Sequence, residues 1–389
     1  MQADWQSIVQ RATELRHRLH RRPEIAWSEF ETAQTIRGLL DELDIPWRAC
    51  AETGTVACLA AEADGRHIAL RADIDALPIH EVSGVPWQSE NDGFMHACGH
   101  DGHTATLFAA LWWLRAHENK LPGPVTLLFQ PAEEGGHGAR RMVDEGALDG
   151  VDAIFGWHNW PAIPAGKAVC PDGAVMAANG TFKVVLRGRG GHASQPELCR
   201  DPVLAAAAVA QALQQIVSRR LAAQSAAVVS VTSIDARSAE TVIPDSATLA
   251  GSIRLQSSDM REQVESLIRE IAEASAGAYG VSAEVEITPR YGATCNHSDE
   301  AGQMRSALAV VLGDDWQCDK TPVPIMASED FSYYLNAVPG AFALIGAGDG
   351  DSNDYPCHNP YYDFRDALIP DVARVFLQLA GAPMPPVNA

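Results

Sequence analysis

The chain has 389 residues, 47% of them hydrophobic, and a formal charge of −21 at pH 7. That length exceeds one ordinary core, so two domains are expected. The negative charge disfavours nucleic acid and anionic membranes as partners, and no apolar run approaches the roughly 18–20 residues of a membrane span.

Residues 5–20 have helical spacing, and so do residues 28–43. Residues 1–22 lack an apolar signal core, so a cytoplasmic protein is the expectation. The eight cysteines are scattered and read as free thiols. His17 and His20, amid Arg16, Arg18, Arg21 and Arg22, read as a solvated or packed helix face. Short β-rich runs follow at 55–59, 67–72, 125–129 and 153–157. A helix is expected at 103–117, with Asp101 as its N-cap and Leu121-Pro122-Gly123-Pro124 as its stop. Nearly continuous apolar strands alternating with helices predict an open, mixed α/β sheet.

The middle of the chain changes character. Strand patterns at 181–187, 228–234, 248–255 and 281–289 surround helical patterns at 201–220 and 258–278. That order, β-α-β-β-α-β, predicts a small ferredoxin-like α+β module. Beyond Asn296 come a helix at 298–312, a strand at 342–345 and a closing helix at 367–379. The expected organisation is a discontinuous α/β domain, residues 1–178 and 296–389, with residues 179–295 inserted.

Metal-ligand residue types gather at strand ends and loops. The first cluster is His96-Ala97-Cys98-Gly99-His100-Asp101-Gly102-His103, where Cys98 and His100 offer a thiolate and an imidazole. The second, Gln130-Pro131-Ala132-Glu133-Glu134-Gly135-Gly136, ends an apolar strand. Two carboxylates there repel unless a cation lies between them. One can then bind the cation while the other acts as a base. His158 follows the run 153–157, and His358 lies in the loop Tyr355-Pro356-Cys357-His358-Asn359-Pro360. Asp73, in Arg71-Ala72-Asp73-Ile74-Asp75, is placed to orient a ligating histidine, with a plain turn aspartate as the alternative. His192 sits in the glycine-rich loop Gly188-Arg189-Gly190-Gly191-His192 as a candidate mobile donor. The set points to hydrolysis by metal-activated water. Two rivals are a cysteine hydrolase with Cys98 as nucleophile and a non-catalytic binding protein.

These motifs resemble the metallopeptidase family of aminoacylases, carboxypeptidase G and hippurate hydrolase. The likeness is greatest to its amidohydrolase branch, which includes plant auxin-conjugate hydrolases. It runs from His20-Arg21-Arg22-Pro23-Glu24 through Arg71–Pro78, His96–His103, Phe129–Gly136 and Ala327–Tyr334 to His358–Phe364. The resemblance implies that Cys98, His100, Glu134, His158 and His358 bind two divalent metals, zinc or manganese, with cobalt or nickel as alternatives. It implies that Glu133 is the general base. It implies that the inserted module is a lid and dimerisation domain, whose His192 reaches a neighbouring subunit's site. A homodimer is expected, or a tetramer. The implied reaction cleaves an N-acyl amino acid to a carboxylic acid and an amino acid, with deacetylation of an N-acetylated diamino acid as the alternative. Two departures stand out: Arg71 replaces a histidine ligand of the wider family, and Thr241 stands where relatives carry asparagine. Arg254 is the candidate partner for a substrate carboxylate.

Overall fold

A computed structural model describes residues 4–350 and 354–386. Contacts divide it into two compact units. The first comprises Met1–Val175, Cys295–Val323 and Asp330–Ala389; the second comprises Met176–Thr294 and Pro324–Glu329. Sequence patterning leaves Pro324–Glu329 with the first domain. The backbone takes it elsewhere: Ala177 N–H donates to the Ile325 carbonyl at 3.0 Å and the Ala327 carbonyl at 2.9 Å.

The first unit is built on a seven-stranded mixed sheet. Its order is Trp47–Cys50, Gly54–Leu59, Val125–Gln130, Ile68–Asp73, Ala153–Pro164, Gly340–Gly348 and Ala168–Val169. The four inner strands from Val125–Gln130 to Gly340–Gly348 are mutually parallel, and the flanking strands pair antiparallel. Val125–Gln130 and Ile68–Asp73 are buried along their whole length, as apolar strands covered on both faces must be. The helix His100–Ala116 connects these two strands, and its residues His100 to Leu114 are all buried. Helices Trp5–Arg21 and Leu368–Leu379 pack against it, with Trp5 and Trp113 edge-to-face at 5.5 Å.

Two boundaries differ from the sequence patterns. The strand beginning at Ala153 runs on to Pro164, so His158 lies inside a strand, opposite Leu344, rather than beyond its end. The helix starts at His100, not after Asp101. Its N-cap is Gly99, at φ +93°, a left-handed conformation open to glycine, and Asp101 is turned inward to buried cations.

The second unit carries a four-stranded antiparallel sheet ordered Ala227–Asp235, Ser246–Leu255, Ala178–Arg187, Ser282–Pro289. With helices Pro202–Leu213 and Arg261–Gly277 between strands, this is the ferredoxin-like β-α-β-β-α-β arrangement. Burial alternates residue by residue along Ser246–Leu255, because one face meets the helices and the other does not. Among the described residues no helix is long and apolar enough to cross a membrane.

Candidate metal centre

All five expected ligands, Cys98, His100, Glu134, His158 and His358, belong to the first unit, and they converge. Cys98, His100 and His158 each place one ligand atom within 4.8 Å of the others. So do Cys98, Glu134 and His358, and so do His100, Glu133 and Glu134. The Cys98 sulfur lies 3.3 Å from His158 Nε2 and 3.3 Å from His358 Nε2. His358 Nε2 also lies 3.2 Å from Glu134 Oε1. Cys98 is therefore common to two ligand sets.

Local backbone puts these groups there. Gly99 brings Cys98 and His100 together at the mouth of the helix His100–Ala116. A Cβ on Gly99 would lie 2.5 Å from Asn159 Oδ1 and 2.6 Å from the Tyr362 hydroxyl, so the turn is packed as well as bent. The strand Val125–Gln130 delivers Glu133 and Glu134 into a loop that turns through Ala132 at φ +55° and Gly135 at φ +96°. His358 has φ +69°, with its N–H donated to the Ala97 carbonyl at 2.7 Å.

The donor atoms are prepared for a cation. His100 Nδ1 donates to the Asp75 carbonyl at 2.9 Å, and His158 Nδ1 donates to the Asn159 carbonyl at 2.7 Å. Each Nδ1 carrying its proton leaves Nε2 with a lone pair. His100 Nε2 is buried and has no hydrogen-bond partner. Burial alone would lower the His100 pKa, but Asp73, Asp75 and Glu134 raise it to about 10, so the local field favours positive charge. Glu134 is held below the usual carboxylate range: burial opposes this, but the His358 bond and the His100 charge prevail. A thiolate, a carboxylate and imidazoles in overlapping triads fit divalent cations.

Cys98 fits poorly as a nucleophile. Its hydrogen bond with Cys357, its burial and the Glu134 charge push the thiol pKa well up, whereas a reactive cysteine needs it lowered.

Asp73 stands behind this set. Its Oδ1 bonds His103 Nδ1 at 2.6 Å, its Oδ2 accepts from Arg71 at 2.6 Å, and Oδ2 lies 3.6 Å from His100 Nε2. Burial disfavours its charge, yet Arg71, His100 and His103 hold its pKa well below the usual range. Arg71 is not a ligand here. It donates to Gln130 Oε1 at 2.7 Å and to Asp330 Oδ1 at 3.2 Å, and Asp330 N–H donates to Glu133 Oε1 at 3.3 Å. Of the four cysteine and histidine residues at 96–103, Cys98 and His100 belong to the triads above, and His103 groups with Asp73 and His100. His103 bonds Asp73 and Asn159, and His96 is buried and neutral, its pKa lowered by burial to about 3.

Sequence reasoning missed Asp75. It is buried, and its Oδ1 and Oδ2 accept the backbone N–H groups of Glu133 at 3.1 Å and Glu134 at 2.9 Å. The signal was the two-residue spacing Asp73-x-Asp75, which in extended chain sends both carboxylates the same way.

His192 and Arg254 belong to the second unit. His192 is exposed, its Nδ1 is 2.8 Å from the Ser194 hydroxyl, and its strand pairs with Val242 beside Thr241. Arg254 is half-buried, donates to the Ser328 hydroxyl at 2.9 Å, and has no carboxylate partner among the described residues.

The chain is similar to known proteins along most of its length. The model of peptidase family M20/M25/M40 matches residues 69–382. The N-acetyl-L-cysteine deacetylase of Bacillus subtilis (strain 168) is 40% identical over 361 residues, covering 91% of this chain and 84% of that protein. The IAA-amino acid hydrolase ILR1-like 2 of Arabidopsis thaliana is 38% identical, covering 94% and 83%. Among solved structures, the Bacillus subtilis YXEP protein, described as a dinuclear metal binding peptidase of the M20 family, superposes with a TM-score of 0.83 at 33% identity, covering 96% and 98%.

Proposed function

The chain belongs to peptidase family M20/M25/M40, and from that premise we propose how its residues carry out amide hydrolysis. The protein is a metal-dependent amidohydrolase acting on N-acyl amino acids, with two divalent metal ions. One observation carries the residue assignment: two ligand triads share the Cys98 sulfur, beside a Glu133 carboxylate that neither of them needs. Cys98, His100 and His158 would hold one cation, and Cys98, Glu134 and His358 would hold the other. Thiolate and imidazole donors favour zinc, with manganese the next choice.

When bound there, two divalent cations would supply Lewis acidity toward water and the amide carbonyl. Glu133 takes a proton from the water and returns it to the leaving nitrogen. Its carboxylate is positioned for this by the Asp330 N–H at 3.3 Å. His192 donates a hydrogen bond to the developing oxyanion, supplied by a partner subunit of a homodimer. Arg254, a cation without a carboxylate partner among the described residues, receives the substrate carboxylate. Eight free cysteines suit the reducing cytoplasm.

The test is a hydrolysis screen over N-acetyl-L-cysteine and the N-acetyl, N-benzoyl and N-indoleacetyl amino acids, with metal analysis of the same preparation. Two equivalents of metal and release of free amino acid from at least one class are expected. No turnover by metal-replete protein would refute the proposal.

A further inference from the structure

The loop carrying Glu133 and Glu134 is anchored from below by two buried side chains that belong to neither triad. Ala132 N–H donates to Glu29 Oε1 at 2.8 Å, Glu133 N–H to Asp75 Oδ1 at 3.1 Å, and Glu134 N–H to Asp75 Oδ2 at 2.9 Å. Three consecutive amides thus point at carboxylate oxygens. Asp75 also reaches the other side of the centre: its carbonyl accepts from His100 Nδ1 at 2.9 Å, and its Oδ1 lies 3.3 Å from the same nitrogen. Asp75 is about 1% exposed, so water does not compete for these bonds.

We propose that Asp75 is the positioning residue that couples the proton-transfer group to the cation ligands. This rests on the hydrolase reading above. The residue touches Glu133 and Glu134 through their backbone and His100 through its ring. It therefore fixes, at once, the base, a carboxylate ligand and the tautomer of an imidazole ligand.

Only a carboxylate can do all of this. Each of its oxygens accepts one backbone N–H, and an ionised carboxylate has no donor. Asparagine keeps one acceptor and sets an NH2 group against the other N–H, donor against donor. Either that backbone bond is lost or the loop shifts to relieve the clash. Loss of such outer contacts typically costs about 10–100-fold in metal affinity or activity.

The experiment compares wild type, Asp75→Asn, Glu133→Gln and the double variant, each checked by circular dichroism. Zinc affinity is measured by competition with a chromophoric chelator, and kcat and KM are measured at saturating zinc. Asp75→Asn should weaken zinc binding by about 10–100-fold. At saturating zinc it should lower kcat at least about tenfold and leave KM within about twofold, because the base is displaced and the substrate contacts are not. If Asp75 acts through Glu133, the double variant should have the kcat of Glu133→Gln alone, yet keep the zinc defect. A residue that merely supports the fold would not give that split. Unchanged zinc affinity in Asp75→Asn overturns the proposal, and so does a kcat loss that multiplies with that of Glu133→Gln. If Asp75→Asn does not fold, Asp75→Ser replaces it with the same criteria. A wild-type protein that neither binds zinc nor hydrolyses any N-acyl amino acid would sink the hydrolase reading itself.

Discussion

Beneath the metal centre lies a buried charge cluster whose removal should change how stability depends on pH. Asp101 Oδ2 accepts from Arg16 Nε at 2.8 Å and from His20 Nδ1 at 2.8 Å, while His20 Nε2 lies 3.2 Å from Glu81 Oε1. With a carboxylate at each ring nitrogen, His20 is an imidazolium. Burial alone would lower its pKa, but Asp101 and the Glu81 bond raise it from 6.5 to about 9. The folded state holds this proton more tightly than the unfolded chain does. Its contribution is therefore complete below about pH 6.5 and is lost as pH rises through about 9. At 1.36 kcal/mol per pH unit, that rise is worth about 3 kcal/mol at most. Asp101→Asn removes the charge that supplies most of it. The variant should be less stable at pH 6 by about 3 kcal/mol, the lower end for breaking a buried pair, because Arg16 still has Asp363 and Asp366. It should also lose the part of the decline between pH 6 and 9.5 that the His20 proton supplies. Urea unfolding of both proteins across that range, at equal metal content, measures the difference. Equal declines in the two proteins would refute the reasoning.

Other expectations concern the centre directly. Glu133→Gln should keep its metal and lose about 10²–10⁴ in turnover, read by metal analysis and kcat. Dialysis against a chelator should abolish turnover, and adding back zinc or manganese should restore it. Gly102→Ala should destabilise by about 1–3 kcal/mol in thermal unfolding, since a Cβ there would meet three Phe364 ring atoms at 2.5 Å. His192→Ala should bind metal normally but turn over slowly, and mixing it with Glu133→Gln subunits should restore some activity if a partner supplies His192; no recovery argues for a site complete in one chain.

Much of the site could be read along the chain. Carboxylates after the apolar strand Val125–Gln130, and a thiol and an imidazole at a glycine turn, are legible because burying such groups is costly without a cation or partner. The helix His100–Ala116 was legible as a helix but not in its boundary. Asp101 has the chemistry of a cap, and only packing shows that it serves Arg16 and His20 instead. The same packing turns a helix face carrying Arg16 and His20, both 0% exposed, into part of the core.

Residue order determined the α/β pattern, the β-α-β-β-α-β insertion and the kinds of donor atom available, since these follow from periodicity and from chemistry carried by single side chains. Tertiary structure alone decided that Cys98 is common to two triads, that His100 and His158 present Nε2, and that Asp75 holds the Glu133–Glu134 backbone. Each of those depends on hydrogen bonds between segments 25 or more residues apart or on adjacent backbone carbonyls whose direction the fold sets, and no local pattern encodes such a direction.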